Sequence, residues 1–161
     1  MDKSMKKISF LLFISLLIVI TGCNNKSVKE TNNNSSKSNE IIESSDNVEN
    51  INIIINGKIY ILNLEDNETV LEFIKLLPLE YNMSELNGNE KYVYMDNSLT
   101  ANKENIGHIE KGDVMLYQNN CLVIFYKSFD TSYSYTRIGH INDLDDLGNG
   151  NIFVKFEIAK K

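Results

Sequence analysis

The chain has 161 residues, 42% of them apolar, with a formal charge of −6, two Cys, no Trp and a single Pro. This length suits one domain and excludes a large multidomain enzyme. Residues 1–22 contribute three Lys and one Asp, a charge of +2, so the remainder carries −8. Because phosphate binding needs clustered Lys and Arg, we expect no nucleic-acid partner.

Residues 1–23 have the pattern of an export signal. A short basic segment precedes an apolar run over residues 8–20, interrupted only by two Ser. A membrane-spanning helix needs about 20 apolar residues, so this run is short for a permanent anchor and cleavage is expected. The run ends in Ile20-Thr21-Gly22-Cys23, which resembles the lipobox of bacterial lipoproteins. The resemblance implies that residues 1–22 are a signal peptide and that the thiol of Cys23 is joined to diacylglycerol.

Lipidation of Cys23 predicts a partner and a location for the protein. Each buried CH₂ group contributes about 0.8 kcal/mol, so two acyl chains hold a protein firmly where one chain holds it only marginally. We therefore expect the protein at the cell membrane, lipid-anchored on the extracytoplasmic face. The alternatives are an uncleaved N-terminal anchor and an ordinary secretory signal with a Cys near the cleavage site.

The second cysteine, Cys121, has no intramolecular partner if Cys23 is a thioether. It lies in the apolar run 121–126, which predicts a buried strand. A free Cys in such a strand behaves as a small hydrophobic residue. No His or helix N-terminus is close in sequence to lower the thiol pKa, so we predict a packing role for Cys121.

Residues 24–50 are rich in Asn and Ser and contain few apolar residues. Such a segment cannot bury enough surface to offset the entropy of ordering, so we predict a disordered tether that follows the lipidated Cys23. As a random coil it has a mean end-to-end distance on the order of 30 Å. This length would hold the folded part clear of the lipid headgroups.

A folded domain is predicted over residues 51–161. The β-rich runs 52–55 and 58–64 are separated by Asn56-Gly57, which predicts a hairpin with a type I′ turn because that turn needs positive φ at both positions. Asp66-Asn67 then precedes residues 68–77, whose apolar positions recur at helical spacing. This segment is the one main helix predicted.

The rest of the domain reads as short strands. Five β-like runs, separated by turns rich in Gly and Asn, cover residues 91–95, 114–118, 121–126, 133–138 and 151–158. Residues 141–147 predict a short helical turn that ends at Gly148. Many short strands with few helices predict a mainly β protein, either a closed barrel or a sandwich.

Three segments, 82–95, 106–126 and 131–141, resemble the bacterial cyclophilin-like domain family. The most specific matches are Glu90-Lys91, Gly112-Asp113 with the strand after it, and Ser134-Tyr135 leading to Ile138-Gly139. The resemblance extends over about residues 51–157. It implies a small closed antiparallel β-barrel of cyclophilin-like type, with one main helix and one short helical turn. A shared fold does not imply prolyl isomerase activity, because function belongs to sites.

Five residues are candidates for ligand binding. Tyr133, Tyr135 and Arg137 share one face of a predicted strand, and phenols with a guanidinium can stack on and bond to a peptide or a sugar. Glu90 and Lys91 follow a long polar connection and predict a second polar group in the site. The alternatives are an ordinary exposed strand face for the first group and a solvated turn for the second.

We predict a binding module for a peptide or a small cell-surface ligand, without catalysis. The alternative is a weak peptidyl-prolyl isomerase or folding factor at the outer face of the membrane. Arg137 is the only Arg in the chain, and its late position does not match the catalytic Arg of the enzymes named for the fold. His108 and His140 are far apart and lack neighbouring ligand residues, so we expect no metal and no cofactor.

Overall fold

The computed structural model describes residues 48–160. The predicted signal peptide, the predicted lipidation residue Cys23 and the predicted tether as far as residue 47 lie outside the described residues. The strands, in chain order, are β1 Asn50–Ile55, β2 Lys58–Leu64, β3 Leu79–Leu86, β4 Glu90–Tyr94, β5 Glu104–Asn105, β6 His108–Ile109, β7 Asp113–Tyr117, β8 Cys121–Phe125, β9 Phe129–Asp130, β10 Ser134–Ile141 and β11 Ile152–Glu157; the helix α1 spans Glu68–Lys75. None of the described helical structure is both long and apolar enough to cross a bilayer.

Eight strands form a closed antiparallel barrel. Their order is β2-β1-β11-β3-β4-β8-β7-β10, and β10 pairs again with β2 to close the ring. The closing register places Gly139 opposite Leu64 and Ile141 opposite Leu62. The short strand β5 extends the edge of β10, and β6 pairs with β9 in a separate two-stranded sheet. The predicted closed antiparallel barrel is confirmed.

The hairpin and the helix follow the local sequence signals. Asn56 and Gly57 have φ of 48° and 85°, as the predicted type I′ turn requires, and β1 and β2 pair across them. The side chain of Asn67 caps α1 by accepting a hydrogen bond of 2.9 Å from the backbone N of Val70. Its amide group also donates to the carbonyl O of Arg137 at 2.9 Å, so the same residue ties the helix start to β10.

The barrel wall separates two hydrophobic clusters. The larger cluster fills the interior, where Phe73 of α1 packs edge-on against Phe156 of β11 with ring centroids 5.5 Å apart. The smaller cluster lies on the outer face of β7, β8 and β10 and contains Ile109, Met115, Cys121, Val123, Phe125 and Tyr135. All five residues of β8 are buried because both faces of this strand are covered. One outer surface of the barrel is therefore packed like a core.

Three local predictions need correction. The helical turn predicted over residues 141–147 is absent: Asp143 adopts a φ of 54°, Leu144 packs into the core, and Asp145 accepts hydrogen bonds from β2. The long connection predicted before residue 91 contains β3, which pairs with β11 and β4. The predicted tether also extends too far, because β1 begins at Asn50 and Val48 packs against the core.

Candidate functional site

A groove of about 280 Å³ crosses the outer face of the barrel. It is lined by Leu86, Asn87, Glu90, Tyr92, Tyr94, Tyr117, Cys121, Val123, Tyr133 and Tyr135. Five of the eight tyrosines of the chain are in this set, so we call it the tyrosine groove. Most of its lining comes from β4, β8, β7 and β10, which are neighbours in that order in the barrel.

Strand alternation brings the lining residues to one face. Glu90, Tyr92 and Tyr94 of β4 are two residues apart and share the outer face, because side chains alternate along a strand. Tyr94 on β4 and Tyr117 on β7 both pair with Cys121 of β8, so the two tyrosines flank the thiol. Glu90 and Tyr94 are four residues apart, which separates their backbone positions by about 13 Å. The groove thus has a carboxyl group toward one end and phenols toward the other.

The aromatic rings of the groove hold one another in place. The ring of Tyr117 lies 5.6 Å from that of Tyr135 and 6.0 Å from that of Tyr133, measured between centroids. Tyr92 and Tyr94 pack edge to face at 5.9 Å. Aromatic contacts of this kind restrict ring motion and contribute about 0.5–1.5 kcal/mol each. The rings of Tyr94 and Tyr133 are nonetheless about 60% exposed, so their surfaces remain available to a ligand.

Glu90 is the charged residue of the groove. Its carboxyl group is partly buried and, among residues 48–160, forms no ion pair. Burial, together with the charge of nearby Glu85, raises the pKa of Glu90 from 4.5 to about 7. The groove therefore contains a carboxyl group that gains or loses its proton near neutral pH.

Cys121 lies at the bottom of the groove as a buried free thiol. Burial and the negative charge of Glu90 raise the thiol pKa to about 11. The group is therefore protonated at neutral pH, and the thiol form is a poor nucleophile. This environment agrees with the packing role that the sequence predicts for Cys121.

The predicted site residue Lys91 points away from the groove. Its side chain is fully buried in the barrel, where Nζ donates to Glu85 Oε2 at 2.5 Å and to the carbonyl oxygens of Gly148 and Gly150 at 2.6 and 2.8 Å. Neighbouring residues of a strand face opposite sides, so Glu90 and Lys91 cannot both line one surface. Lys91 holds the 148–150 loop against the barrel end.

Glu85 is the centre of this buried network. Its carboxylate also accepts hydrogen bonds from the hydroxyl of Tyr126 at 2.7 Å and from the backbone N of Gly88 at 2.6 Å. Burial alone would raise the pKa of Glu85, but the bonds from Lys91, Tyr126 and Gly88 together lower it below the usual value. Glu85 stays ionised, and its fixed charge contributes to the raised pKa of Glu90.

The predicted site residue Arg137 also lies outside the groove lining. Its guanidinium Nε contacts Glu104 at 3.1 Å, and one terminal nitrogen lies 3.9 Å from the carboxylate of Asp113. Of the five predicted ligand-binding residues, the structure brings Glu90, Tyr133 and Tyr135 together in the groove. The tyrosines contributed by β4 and β7 are not among the predicted residues, because only strand pairing brings them to this surface.

The two histidines contact carboxylates at different places. Nδ1 of His140 lies 2.9 Å from Asp113, and Nδ1 of His108 lies 2.5 Å from Asp130. Within the described residues, no group of three or more His, Cys, Asp or Glu side chains could hold a metal ion. The lining residues of the groove offer stacking on phenol rings, hydrogen bonding to hydroxyl groups, and contact with one carboxyl group.

Replacement of Glu90 by Gln should change how stability depends on pH. Because the folded-state pKa of about 7 lies above the ordinary 4.5, the folded protein binds more protons than the unfolded chain between these values. Stability therefore falls as pH rises from about 4.5 to 7, and the variant lacks this fall. Denaturant unfolding should show E90Q more stable than the parent at pH 8, by up to about 3 kcal/mol, and equally stable near pH 4. Equal stabilities at pH 8 would contradict the burial of this charge.

The structure defines the class of the protein as a small closed antiparallel β-barrel of cyclophilin-like fold with a single helix in its described part. The model of the Cyclophilin-like family matches residues 53–157, well over half of the chain. The chain belongs to this family.

One solved structure is similar to this chain, that of the hypothetical protein AF2241 from Archaeoglobus fulgidus, determined in solution. The two are 19% identical, with a TM-score of 0.47, over 68% of this chain and 94% of the archaeal one. At this level the likeness carries no argument about function. No curated protein matches this chain.

Proposed function

We propose that this protein is a membrane-anchored binding module whose tyrosine groove captures an extended peptide or a small ligand outside the cytoplasm. The observation that supports this function most is the gathering of five tyrosines from three barrel strands and an adjoining loop on one concave surface. Tyrosine rings offer large contact area at low entropic cost together with a hydrogen-bonding hydroxyl. The groove is small for a drug-sized ligand, so it suits a small molecule or one or two side chains of a peptide.

The anchoring part of the proposal depends on the leader sequence. The basic start, the apolar run and Ile20-Thr21-Gly22-Cys23 together fit export, lipidation of Cys23 and cleavage before it. Residues 24–47 would then link the lipid to the barrel. In this arrangement the groove would face the extracytoplasmic space at a distance set by the tether.

The binding function predicts that exposed groove tyrosines contribute to affinity. In the full chain, purified in a non-ionic detergent, Tyr133→Ala should weaken binding of a peptide found by thermal-shift screening by about three- to tenfold, because an aromatic contact contributes about 0.5–1.5 kcal/mol. Phe153→Ala is the matched control, because this ring is 49% exposed on β11 and does not line the groove. Equal weakening by both changes, or no stabilising ligand among peptides and glycans, would contradict the function.

The anchor predicts that lipid labelling depends on one of the two cysteines. Metabolic labelling with an alkyne analogue of palmitate should mark the parent protein, and Cys23→Ser should abolish the label and leave the leader uncleaved. Cys121→Ser removes the other thiol and is the matched control, which should keep the label. Labelling of the Cys23→Ser variant at the parent level would exclude lipidation at this position.

The isomerase alternative predicts acceleration in a proline-isomerisation assay, whereas the binding module predicts none. Prolyl isomerisation faces a barrier of about 18–20 kcal/mol, and the sequence offers Arg137 as the single guanidinium that could act on it. Arg137 contacts carboxylates outside the groove lining. We therefore expect the full chain to give no acceleration. Acceleration that Arg137→Ala abolishes would favour the alternative.

A further inference from the structure

The lining of the tyrosine groove contains an acidic residue and no basic one among residues 48–160. Glu90 is its charged lining residue, and no Lys, Arg or His belongs to the lining among residues 48–160. The cationic groups close in sequence to the lining residues have other partners. Lys91 contacts Glu85 inside the barrel, Arg137 contacts Glu104 and Asp113, and the Lys127 ammonium lies over the ring of Tyr126 at 5.5 Å. The groove therefore presents a carboxyl group that no cation of the described barrel neutralises.

The aromatic lining adds to this preference for positive charge. The face of a phenol ring carries negative electrostatic potential, so it attracts an ammonium group and repels an anion. The exposed rings of Tyr94 and Tyr133 border the same groove as the Glu90 carboxyl group. A partly buried carboxylate without an internal partner also favours a ligand that donates N–H bonds to it. A primary ammonium meets both requirements, whereas a quaternary ammonium has no N–H to donate.

The shape of the groove suits an ammonium on an unbranched stem. Backbone positions along β4 separate Glu90 from Tyr94 by about 13 Å, and the floor between them is apolar, with Val123 and Tyr92. An alkyl stem can lie on this floor while its charged end reaches the carboxyl group, as lysine side chains do on apolar surfaces. The volume of about 280 Å³ is large enough for such a chain and a short flanking segment.

From this geometry, and on the basis of the proposed binding function, we propose that the tyrosine groove recognises a primary alkylammonium group. Glu90 accepts its N–H bonds, and the tyrosine rings cover its stem. A lysine side chain of a peptide and a free alkylamine carry the same chemistry, and titration with one probe of each kind distinguishes these two sources.

The proposal predicts that binding strengthens as Glu90 ionises. The titratable groups of the groove and of the strands that adjoin it are Tyr92 and Tyr94 on β4, Glu85 on β3, Cys121 on β8, Tyr126 directly after β8, Tyr117 on β7, and Tyr133 and Tyr135 at the start of β10. Burial raises the pKa values of Cys121 to about 11 and Tyr135 to about 12, and Glu85 is already ionised. The pKa of Glu90, about 7, lies between pH 5.5 and 8, so its carboxyl group changes its charge across this range.

The test is calorimetric titration of the full chain in a non-ionic detergent with three probes. The first probe is a capped Gly-Lys-Gly peptide, the second is the same peptide with an acetylated lysine, and the third is n-pentylamine. At pH 8 the lysine peptide should bind at least tenfold more tightly than its acetylated twin, because charge-assisted hydrogen bonds are lost in the twin. Its affinity should fall about 30-fold from pH 8 to pH 5.5, since only the ionised form of Glu90 is competent.

Two variants distinguish the effect of the Glu90 carboxyl group from the effect of the protein's net charge. Glu90→Gln should weaken the lysine peptide at least tenfold at pH 8 and remove the pH dependence. Glu65→Gln removes one negative charge at an exposed position that does not line the groove. It should change neither the affinity for the lysine peptide nor the pH dependence of that affinity. Amine binding equal to peptide binding would identify a free amine as the source, and amine binding ten times weaker would identify a peptide.

Two negative results have different meanings. If the acetylated twin binds as tightly as the lysine peptide, or binding is independent of pH in the parent protein, the ammonium proposal is wrong while the groove remains a peptide site. If none of the three probes binds at millimolar concentration, the ammonium proposal is overturned, and ligands from the thermal-shift screen then decide the binding function separately.

Discussion

Replacement of Lys91 by Met is expected to destabilise the barrel by about 3–5 kcal/mol, although Met has a similar length and is more apolar. The ammonium of Lys91 is completely buried and makes three hydrogen bonds, to Glu85 and to the carbonyl oxygens of Gly148 and Gly150. Removing one partner of a buried ion pair leaves the other charge without compensation, which costs far more than the pair itself contributes. Two carbonyl groups lose their donor at the same time.

Urea unfolding at pH 7 would measure this loss, and Lys58→Met is the matched control. The Lys58–Asp145 pair is equally short at 2.6 Å, but both side chains are more than half exposed. Exposed pairs contribute little because water screens both charges, so the control should change the free energy of unfolding far less than Lys91→Met does. Similar effects of the two substitutions would show that the interior network does not hold the barrel together.

Replacement of Gly139 by Ala is expected to cost about 3 kcal/mol, the upper end of the usual range for overpacking, because it acts where the barrel closes. Gly139 lies on β10 opposite Leu64 of β2. A Cβ atom at this position would lie 2.1 Å from the carbonyl O of Asn63, which is backbone and cannot move without separating the two strands. Overpacking of this kind forces backbone shifts, and here the shift would disrupt the β2–β10 pairing.

The control for this substitution is Gly57→Ala in the first hairpin. Gly57 has a positive φ of 85°, but an added Cβ would meet no atom within 4 Å. The control should therefore lose only about 1–2 kcal/mol, the cost of placing a side chain in the left-handed region. Thermal unfolding of the two variants compares them directly. A smaller loss for Gly139→Ala than for Gly57→Ala would argue against the tight closure.

Local signals predicted the hairpin and the helix because their physical causes lie within a few residues. The Asn56-Gly57 turn needs only two positive φ angles, and the cap of α1 is a contact between Asn67 and Val70. Strand β3 was missed because its eight residues include several polar side chains and are buried at only one position, Met83. Its pairing with β11, far away in sequence, stabilises it as a strand.

The residues of the candidate site also fall into two groups, those that local sequence patterns predict and those that depend on strand pairing. The alternation rule predicts that Tyr133 and Tyr135 share one side of the chain; Tyr135 lies on β10, Tyr133 directly precedes this strand, and both line the groove. The contribution of Tyr117 could not be predicted, because it depends on β7 lying between β8 and β10 in the barrel. The same alternation rule, applied to Glu90 and Lys91, would have separated the two. These neighbours lie on β4, in the groove and in the interior respectively.

The buried network around Glu85 is electrostatically coupled to Glu90 in the tyrosine groove. Glu85 contacts Lys91 inside the barrel, and its charge also disfavours ionisation of Glu90 in the groove. The network that stabilises the barrel end therefore also influences the pH range in which the groove carries a charge.

NMR of the full chain with labelled tyrosine rings would show whether the tyrosine groove is the ligand site. The chain has eight tyrosines and no Trp, so the five groove rings and the three others, Tyr60, Tyr81 and Tyr126, give a complete internal comparison. A peptide found by thermal-shift screening is titrated into the protein. The ring resonances of the five groove tyrosines should shift, while those of the other three tyrosines should not. Shifts of equal size in both sets, or shifts confined to the other three, would contradict the assignment.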